Sequence, residues 1–213
     1  MTVTTIDLLR HGECEGGSIY RGSTNVPLTA EGWQQMQASV DSLLAVQNDA
    51  DSLCPWDRII TSPLQRCQNF SRDKATEWGV PVSIEEGYRE MHFGDWEGRE
   101  LNEVWRSDKE AVKLFYSDPE NYAPPQGESA SLVRDRLALA WNAMMENHRG
   151  EKLLLVQHGG TIRVLLTWLL KMPLAGIIQF NIPYAGLCRI KVVEDKKGQS
   201  FPSLIFMNGS DLQ

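Results

Sequence analysis

The chain has 213 residues, 42% of them hydrophobic, and a formal net charge of −7. That acidic balance argues against non-specific nucleic-acid binding. It does not argue against an anionic substrate, because a few arginines can make one cleft locally positive. The length suits a single domain over 1–213, and no stretch approaches the roughly 18 apolar residues of a membrane span.

Residues 3–9 read as a buried strand carrying Val3, Ile6, Leu8 and Leu9, and the run stops on Arg10, His11 and Gly12. MTVTTIDLLR has no basic leader and too short an apolar run, so no signal peptide is expected. PLTAEGWQQMQASVDSLL predicts a helix with Thr29 as its N-cap. Trp33, Met36, Val40, Leu43 and Leu44 give that helix an apolar stripe. WDRIITSP is a short strand that stops at Ser62-Pro63, and a helix from about Leu64 to Trp78 carries Arg66 on its first turn. VPVSIEE is a third strand.

From about Glu100 the text turns helical, irregular and aromatic, and Pro124, Pro125 and Gly127 close it. This predicts a cap excursion at about 99–126. ESASLVRDRLALAWNAMMENH is a long amphipathic helix. EKLLLVQ is too apolar to be half exposed, so it should be a central parallel strand. GTIRVLLTWLLK is a helix with Pro173 just past its end, and CRIKVVEDKKGQSFPSLIFMN is a hairpin turning near Lys197-Gly198. The alternation implies an α/β fold: three layers, a mostly parallel central sheet flanked by helices, a helical cap and a C-terminal antiparallel hairpin.

In such sheets ligands bind beyond the C-terminal ends of the strands. Two of the four histidines, His11 and His158, sit just past apolar strands and next to glycines. If their strands are neighbours, both imidazoles meet Arg10 in one crevice. Arg66 joins them from the next strand end. Gly12 and Gly159 allow close approach, and the helix after Gly159 favours an anion at its N-terminus. Two arginines and two histidines in a concave site suit a phosphoryl group, because a guanidinium donates bidentately and stays charged. A histidine there can act as a nucleophile. Glu90, at the end of VPVSIEEGYRE, supplies a carboxyl group at the pocket rim for proton transfer. His92 and His148 read as structural or surface residues, and Glu128 as a cap or ion-pair partner at the start of the long helix.

Cys14, Cys54, Cys67 and Cys188 show no zinc spacing, and free thiols in a reducing cytoplasm are expected. Cys14 and Cys67 lie close in sequence to His11 and Arg66. They are either inert small residues or thiols that positive charge biases toward thiolate.

LLRHGE, PLTAEG, TSPLQRCQ, REMHFGDWEG, GES and VQHGG occur in that order. Together they resemble the histidine phosphatase superfamily, the phosphoglycerate mutase-like fold, from about residue 6 to residue 170. The resemblance implies that His11 becomes phosphohistidine, that Arg10, Arg66, His158 and Gly159 hold the phosphoryl oxygens, and that Glu90 is the proton donor. It implies no metal and no cofactor. Within the superfamily the text is most similar to the α-ribazole-5′-phosphate phosphatases of cobalamin nucleotide-loop assembly. Broad-specificity phosphatases of sugar phosphates or nucleotides share the same blocks. Phosphoglycerate mutases usually carry an insertion after the acid block, where this chain is short. A non-catalytic binding relative is disfavoured by the intact set Arg10, His11, Arg66, Glu90 and His158.

Three positions depart from the family pattern. Gly17 stands where many members have an Asn whose amide donates to the phosphoryl group, and Cys14 and Asn69 stand where many have Thr. Substrate-side contacts are expected from Tyr20, Arg21, Trp105 and Tyr116. The rings of the excursion, which include Phe115 and Tyr122, either form the cap's own small core or partly face the pocket. The expected partner is a small phosphate ester, with neither nucleic acid nor membrane. Two Trp-bearing helices and the edge hairpin leave room for a homodimer.

Overall fold

A computed structural model describes residues 1–46 and 54–208. Six strands form one sheet in the order β3-β2-β4-β1-β5-β6. They are β1 (Thr2–Arg10), β2 (Arg58–Thr61), β3 (Val82–Ile84), β4 (Lys152–Gln157), β5 (Leu187–Glu194) and β6 (Ser200–Met207). The four strands from β3 to β1 run parallel, and β5 and β6 close one edge as an antiparallel hairpin. The helices are α1 (Ala30–Val46), α2 (Gln65–Trp78), α3 (Leu101–Ser107), α4 (Lys109–Ser117), α5 (Ala130–Asn147) and α6 (Gly159–Leu169). Among the described residues, no helix is long and apolar enough to cross a membrane.

Strand alternation sorts the core into two layers. Ile6, Leu8, Leu153 and Leu155 pack with Val133, Leu137, Ile162 and Leu165 of α5 and α6. Leu9, Leu154 and Val156 pack with Met36, Val40 and Phe70 of α1 and α2. β4 is buried at every position after Lys152, as its unbroken apolar text requires. One charge interrupts β1. Asp7 is buried, and Arg189, its cross-strand partner on β5, answers it with two bonds of 2.7 and 2.8 Å, joined by Trp56 Nε1 at 2.8 Å.

The caps follow local chemistry. Thr29 Oγ1 accepts from Gly32 N at 2.9 Å, and Ser129 Oγ accepts from Leu132 N at 3.3 Å. Gly79, with φ of 67°, ends α2 in the left-handed conformation that lacks a Cβ penalty. The hairpin turns through Lys197-Gly198 onto Asp195, whose carboxylate accepts from Lys197 N and Gln199 N. α3 and α4 form the excursion, and both are short.

Candidate active site

β1 and β4 are parallel neighbours, with Arg10 opposite Gln157 in register, so the two strands deliver His11 and His158 side by side. The ring centroids are 5.2 Å apart at an interplanar angle of 61°. His11 N donates to Gln157 O at 3.0 Å, and His11 O accepts from Ala185 N at 3.1 Å. The backbone under the ring is therefore fixed from both sides. Gly12 serves the chain rather than a ligand: a Cβ there would lie 1.9 Å from Gly32 O at the start of α1.

His11 Nδ1 lies 2.8 Å from Gly12 O, which can only accept, so Nδ1 carries the proton and Nε2 keeps its lone pair. Burial, and then the charges of Arg66, Arg10 and Arg21, hold the His11 pKa well below its usual value. The imidazole is neutral at physiological pH. His158 is the other tautomer. Its Nδ1 accepts from Arg66 Nε at 3.1 Å, so Nε2 donates to Ser62 Oγ at 2.6 Å. Burial and the Arg66 charge likewise hold its pKa well below the usual value.

Arg66 is buried on the first turn of α2. Its remaining nitrogens donate to Gly22 O at 2.7 Å and Thr24 O at 2.8 Å. That loop is itself clamped by Glu97, whose carboxylate accepts from Gly22 N, Ser23 N, Thr24 N, Thr24 Oγ1 and Phe93 N. Burial pushes the Glu97 pKa up, but these donors outweigh it and leave the carboxyl below its usual range. Arg10 Nη1 donates to Ile182 O at 2.6 Å, and its guanidinium lies 4.3 Å from the Tyr184 ring centre. Gly159 packs on that guanidinium, since a Cβ there would be 3.0 Å from Arg10 Nε. Among the described residues, none of Arg10, Arg21 and Arg66 forms an ion pair. Buried cations left without carboxylates suit an anionic ligand.

Glu90 is tucked in rather than at a rim. It is buried against the N-terminus of α6 and accepts from Gly160 N at 3.0 Å, Thr161 N at 3.1 Å and Met91 N at 2.9 Å. The reason is Gly160: a Cβ there would meet Glu90 Oε1 at 2.5 Å, so only glycine lets the carboxylate reach the helix end. Arg136 fixes the segment from behind, donating to the carbonyls of Gly87, Arg89 and Glu90. Glu128 pairs with Arg136 at 3.1 Å and accepts from His92 N at 2.8 Å.

The excursion divides its rings. Phe115 is buried against Phe93 and Trp96, and Tyr20 packs on the same two rings. Tyr20 thus belongs to the packing beneath the cap rather than to its substrate side. Trp105 is 46% exposed and does not line the cavity beside the site. Tyr116 does. That cavity, about 350 Å³, is walled by Met91, Phe93, Phe115, Tyr116, Val164, Ile177 and Ile178, with Gly160 also in its lining and Arg163 as its cation. A larger hollow of about 570 Å³ lies between α5, the end of α6 and the hairpin, and none of the predicted site residues reaches it.

Both cysteines back onto the histidines. Cys14 Sγ is 3.4 Å from His11 Nδ1, and Cys67 Sγ is 3.7 Å from His158 Nε2. Burial pushes both thiols up and outweighs the nearby arginines, which favours the inert reading of these residues over the thiolate one. Sequence reasoning passed over Ser62, Glu97, Arg136, Arg163 and Tyr184. Only Ser62, at a strand end before Pro63, stood in a context that flags a site. The others reach it through tertiary contacts that no spacing encodes.

A family model described as the histidine phosphatase superfamily (branch 1) matches residues 6–200. The adenosylcobalamin/alpha-ribazole phosphatase of Salmonella typhimurium is 29% identical over 189 residues, covering 88% of this chain and 90% of that protein. The glucosyl-3-phosphoglycerate phosphatase of Mycolicibacterium vanbaalenii is 32% identical over 185 residues, covering 81% and 77%. The crystal structure of the alpha-ribazole phosphatase from Shigella flexneri superposes with a TM-score of 0.74 at 27% identity, covering 96% of each chain.

Proposed function

The chain belongs to the histidine phosphatase superfamily and is a phosphatase; from that premise we propose that it hydrolyses α-ribazole 5′-phosphate, without a metal, through a phosphohistidine at His11. The His11 Nε2 lone pair attacks phosphorus and a P–N bond forms. The bond from phosphorus to the ester oxygen breaks, and Glu90 gives its proton to the departing alkoxide. Water then attacks the phosphoryl group, Glu90 takes the water's proton, the P–N bond breaks and inorganic phosphate leaves. Arg10 and Arg66 hold the phosphoryl oxygens throughout, and His158 joins them once its ring turns Nε2–H from Ser62 Oγ to a phosphoryl oxygen.

The observation that carries the substrate is the cavity walled by Phe93, Phe115 and Tyr116, which opens beside Gly160 and therefore beside Glu90. A leaving group with a flat apolar base fits such walls, because ring contacts contribute roughly 0.5–1.5 kcal/mol beyond area burial. α-Ribazole has that shape and 3-phosphoglycerate does not. The test is kcat/KM with EDTA present for α-ribazole 5′-phosphate, glucosyl-3-phosphoglycerate and 3-phosphoglycerate. The first should exceed the last by at least about tenfold, or roughly 1.4 kcal/mol of discrimination. A flat profile would leave a broad-specificity phosphatase as the description. Arg163 favours a second reading, since a lone cation in this cavity would also suit a carboxylate on the leaving group. On that reading glucosyl-3-phosphoglycerate leads the series.

A further inference from the structure

Arg21 sits on the loop from β1 to α1, and the residue is only 9% exposed. Its Nη2 donates to Glu15 O at 2.7 Å and to Gly17 O at 2.8 Å, which uses both hydrogens of that nitrogen. Its Nε is buried and has no partner among the described residues. Its own carbonyl accepts from Arg66 Nη2 at 3.4 Å, so the residue is stitched to the second guanidinium of the site. A buried charge without a partner is expensive unless something anionic answers it.

The charge lies near the site: it adds to burial, Arg66 and Arg10 in lowering the His11 pKa, and it works against burial at Cys14. Gly17 has φ of 69°, and a Cβ at that position would meet nothing within 4 Å. A side chain at 17 would therefore meet open space. The Gly17 carbonyl instead aims the Arg21 fork.

We propose that Arg21 is a third guanidinium on the transferred phosphoryl group, supplying the donor that the loop lacks at Gly17. The inference rests on the phosphoryl pocket proposed above, and it makes Arg21 a binding residue for phosphate rather than for the leaving group. With both Nη2 hydrogens spent, the unpartnered Nε–H is the directed donor left for a phosphoryl oxygen, which Lys would not place there.

The experiment compares wild type, Arg21→Met, Arg21→Lys and the double variant Gly17→Asn with Arg21→Met. Inhibition by inorganic phosphate is measured beside kcat/KM for nitrophenyl phosphate and for α-ribazole 5′-phosphate. Arg21→Met should weaken phosphate inhibition and lower both kcat/KM values by a common factor of roughly 10²-fold, as loss of one preorganised donor does. Arg21→Lys keeps the charge and loses the fork, so it should fall between, and it carries the test if the Met variant does not fold. Asn tolerates a positive φ, and in the double variant it should restore part of the loss on both esters. Unchanged phosphate inhibition would overturn the proposal, as would a loss confined to the larger ester. No recovery in the double variant would overturn the assignment of Arg21 to the donor missing at 17. If wild type hydrolyses none of the esters, the phosphatase mechanism fails, and direct binding of inorganic phosphate, followed by titration calorimetry on wild type and Arg21→Met, then decides the Arg21 assignment: equal affinities would overturn it.

Discussion

The floor of the site and the cavity above it are built in opposite ways. The floor is polar side chains at parallel strand ends and at the N-terminus of α6, each aimed by defined hydrogen bonds: His11 by Gly12 O, His158 by Arg66 and Ser62, Glu90 by the first N–H groups of α6. The cavity wall is rings and apolar side chains from the Met91–Phe93 segment, α4, α6 and the Ile177-Ile178 turn, with Arg163 alone carrying charge. Directional contacts fail on a displacement of about 1 Å, whereas apolar walls tolerate exchange at equal volume. The contrast teaches that reaction and substrate choice are carried by separable sets of residues. Changes in the floor should then act on every ester alike, and changes in the wall should act on some esters only.

The largest effect should come from the proposed nucleophile. His11→Ala should cut activity on all esters by several orders of magnitude, as loss of a covalent nucleophile does. Brief incubation with ³²P-labelled substrate should leave an acid-labile, base-stable adduct on wild type and none on the variant. Near-normal turnover in the variant would sink the assignment.

Next is Glu90→Gln. On esters with poor leaving groups the loss should be roughly 10²- to 10⁴-fold. Nitrophenyl phosphate hardly needs a proton on its leaving group and should lose far less. Equal losses on both would make Glu90 a strut for α6 rather than an acid.

The wall supplies a smaller effect. Tyr116→Ala should lower kcat/KM for α-ribazole 5′-phosphate by about two- to tenfold, the range that a ring contact provides, and leave nitrophenyl phosphate nearly unchanged. A uniform loss would erase the distinction between floor and wall.

The smallest effect is on stability. Burial depresses the pKa of His11 and His158 in the folded chain. Unfolded, both titrate near 6.5, so below that pH the unfolded state binds more protons than the folded one. Stability is therefore full above about pH 6.5 and declines as the pH falls through the depressed folded values. Thermal unfolding between pH 7.5 and 5 should show Tm falling with acid, and a shallower fall in His158→Asn. Equal slopes would mean that the ring is not held neutral.

The floor was largely legible in the sequence and the wall was not. Strand periodicity and the sharp stops at Arg10-His11-Gly12 and His158-Gly159 place two histidines at strand ends, and a parallel sheet then brings them together. Arg66 follows from its offset past Ser62-Pro63. The excursion gave only its aromatic content. Whether Phe115 or Trp105 would face inward depends on how α3 and α4 sit on Trp96 and Phe93, which no local period encodes. Glu90, read from the text as a rim group, is buried at the N-terminus of α6. Its burial depends on the absence of a side chain at Gly160, seventy positions away.

β6 is the outer strand of the sheet, and its ladder with β5 is irregular. Pro202 lies within it, and the register shifts between Arg189 and Ile190. A proline in an edge strand turns its ring nitrogen to the solvent side, where it offers no N–H. An incoming strand would thus meet a gap partway along the edge and a twist beside it, two features that discourage strand-to-strand self-assembly. The exposed Phe201 and Ile205 flank that gap. Replacing Pro202 with a β-branched residue would complete the row of donors between them, and the chain would acquire an adhesive edge.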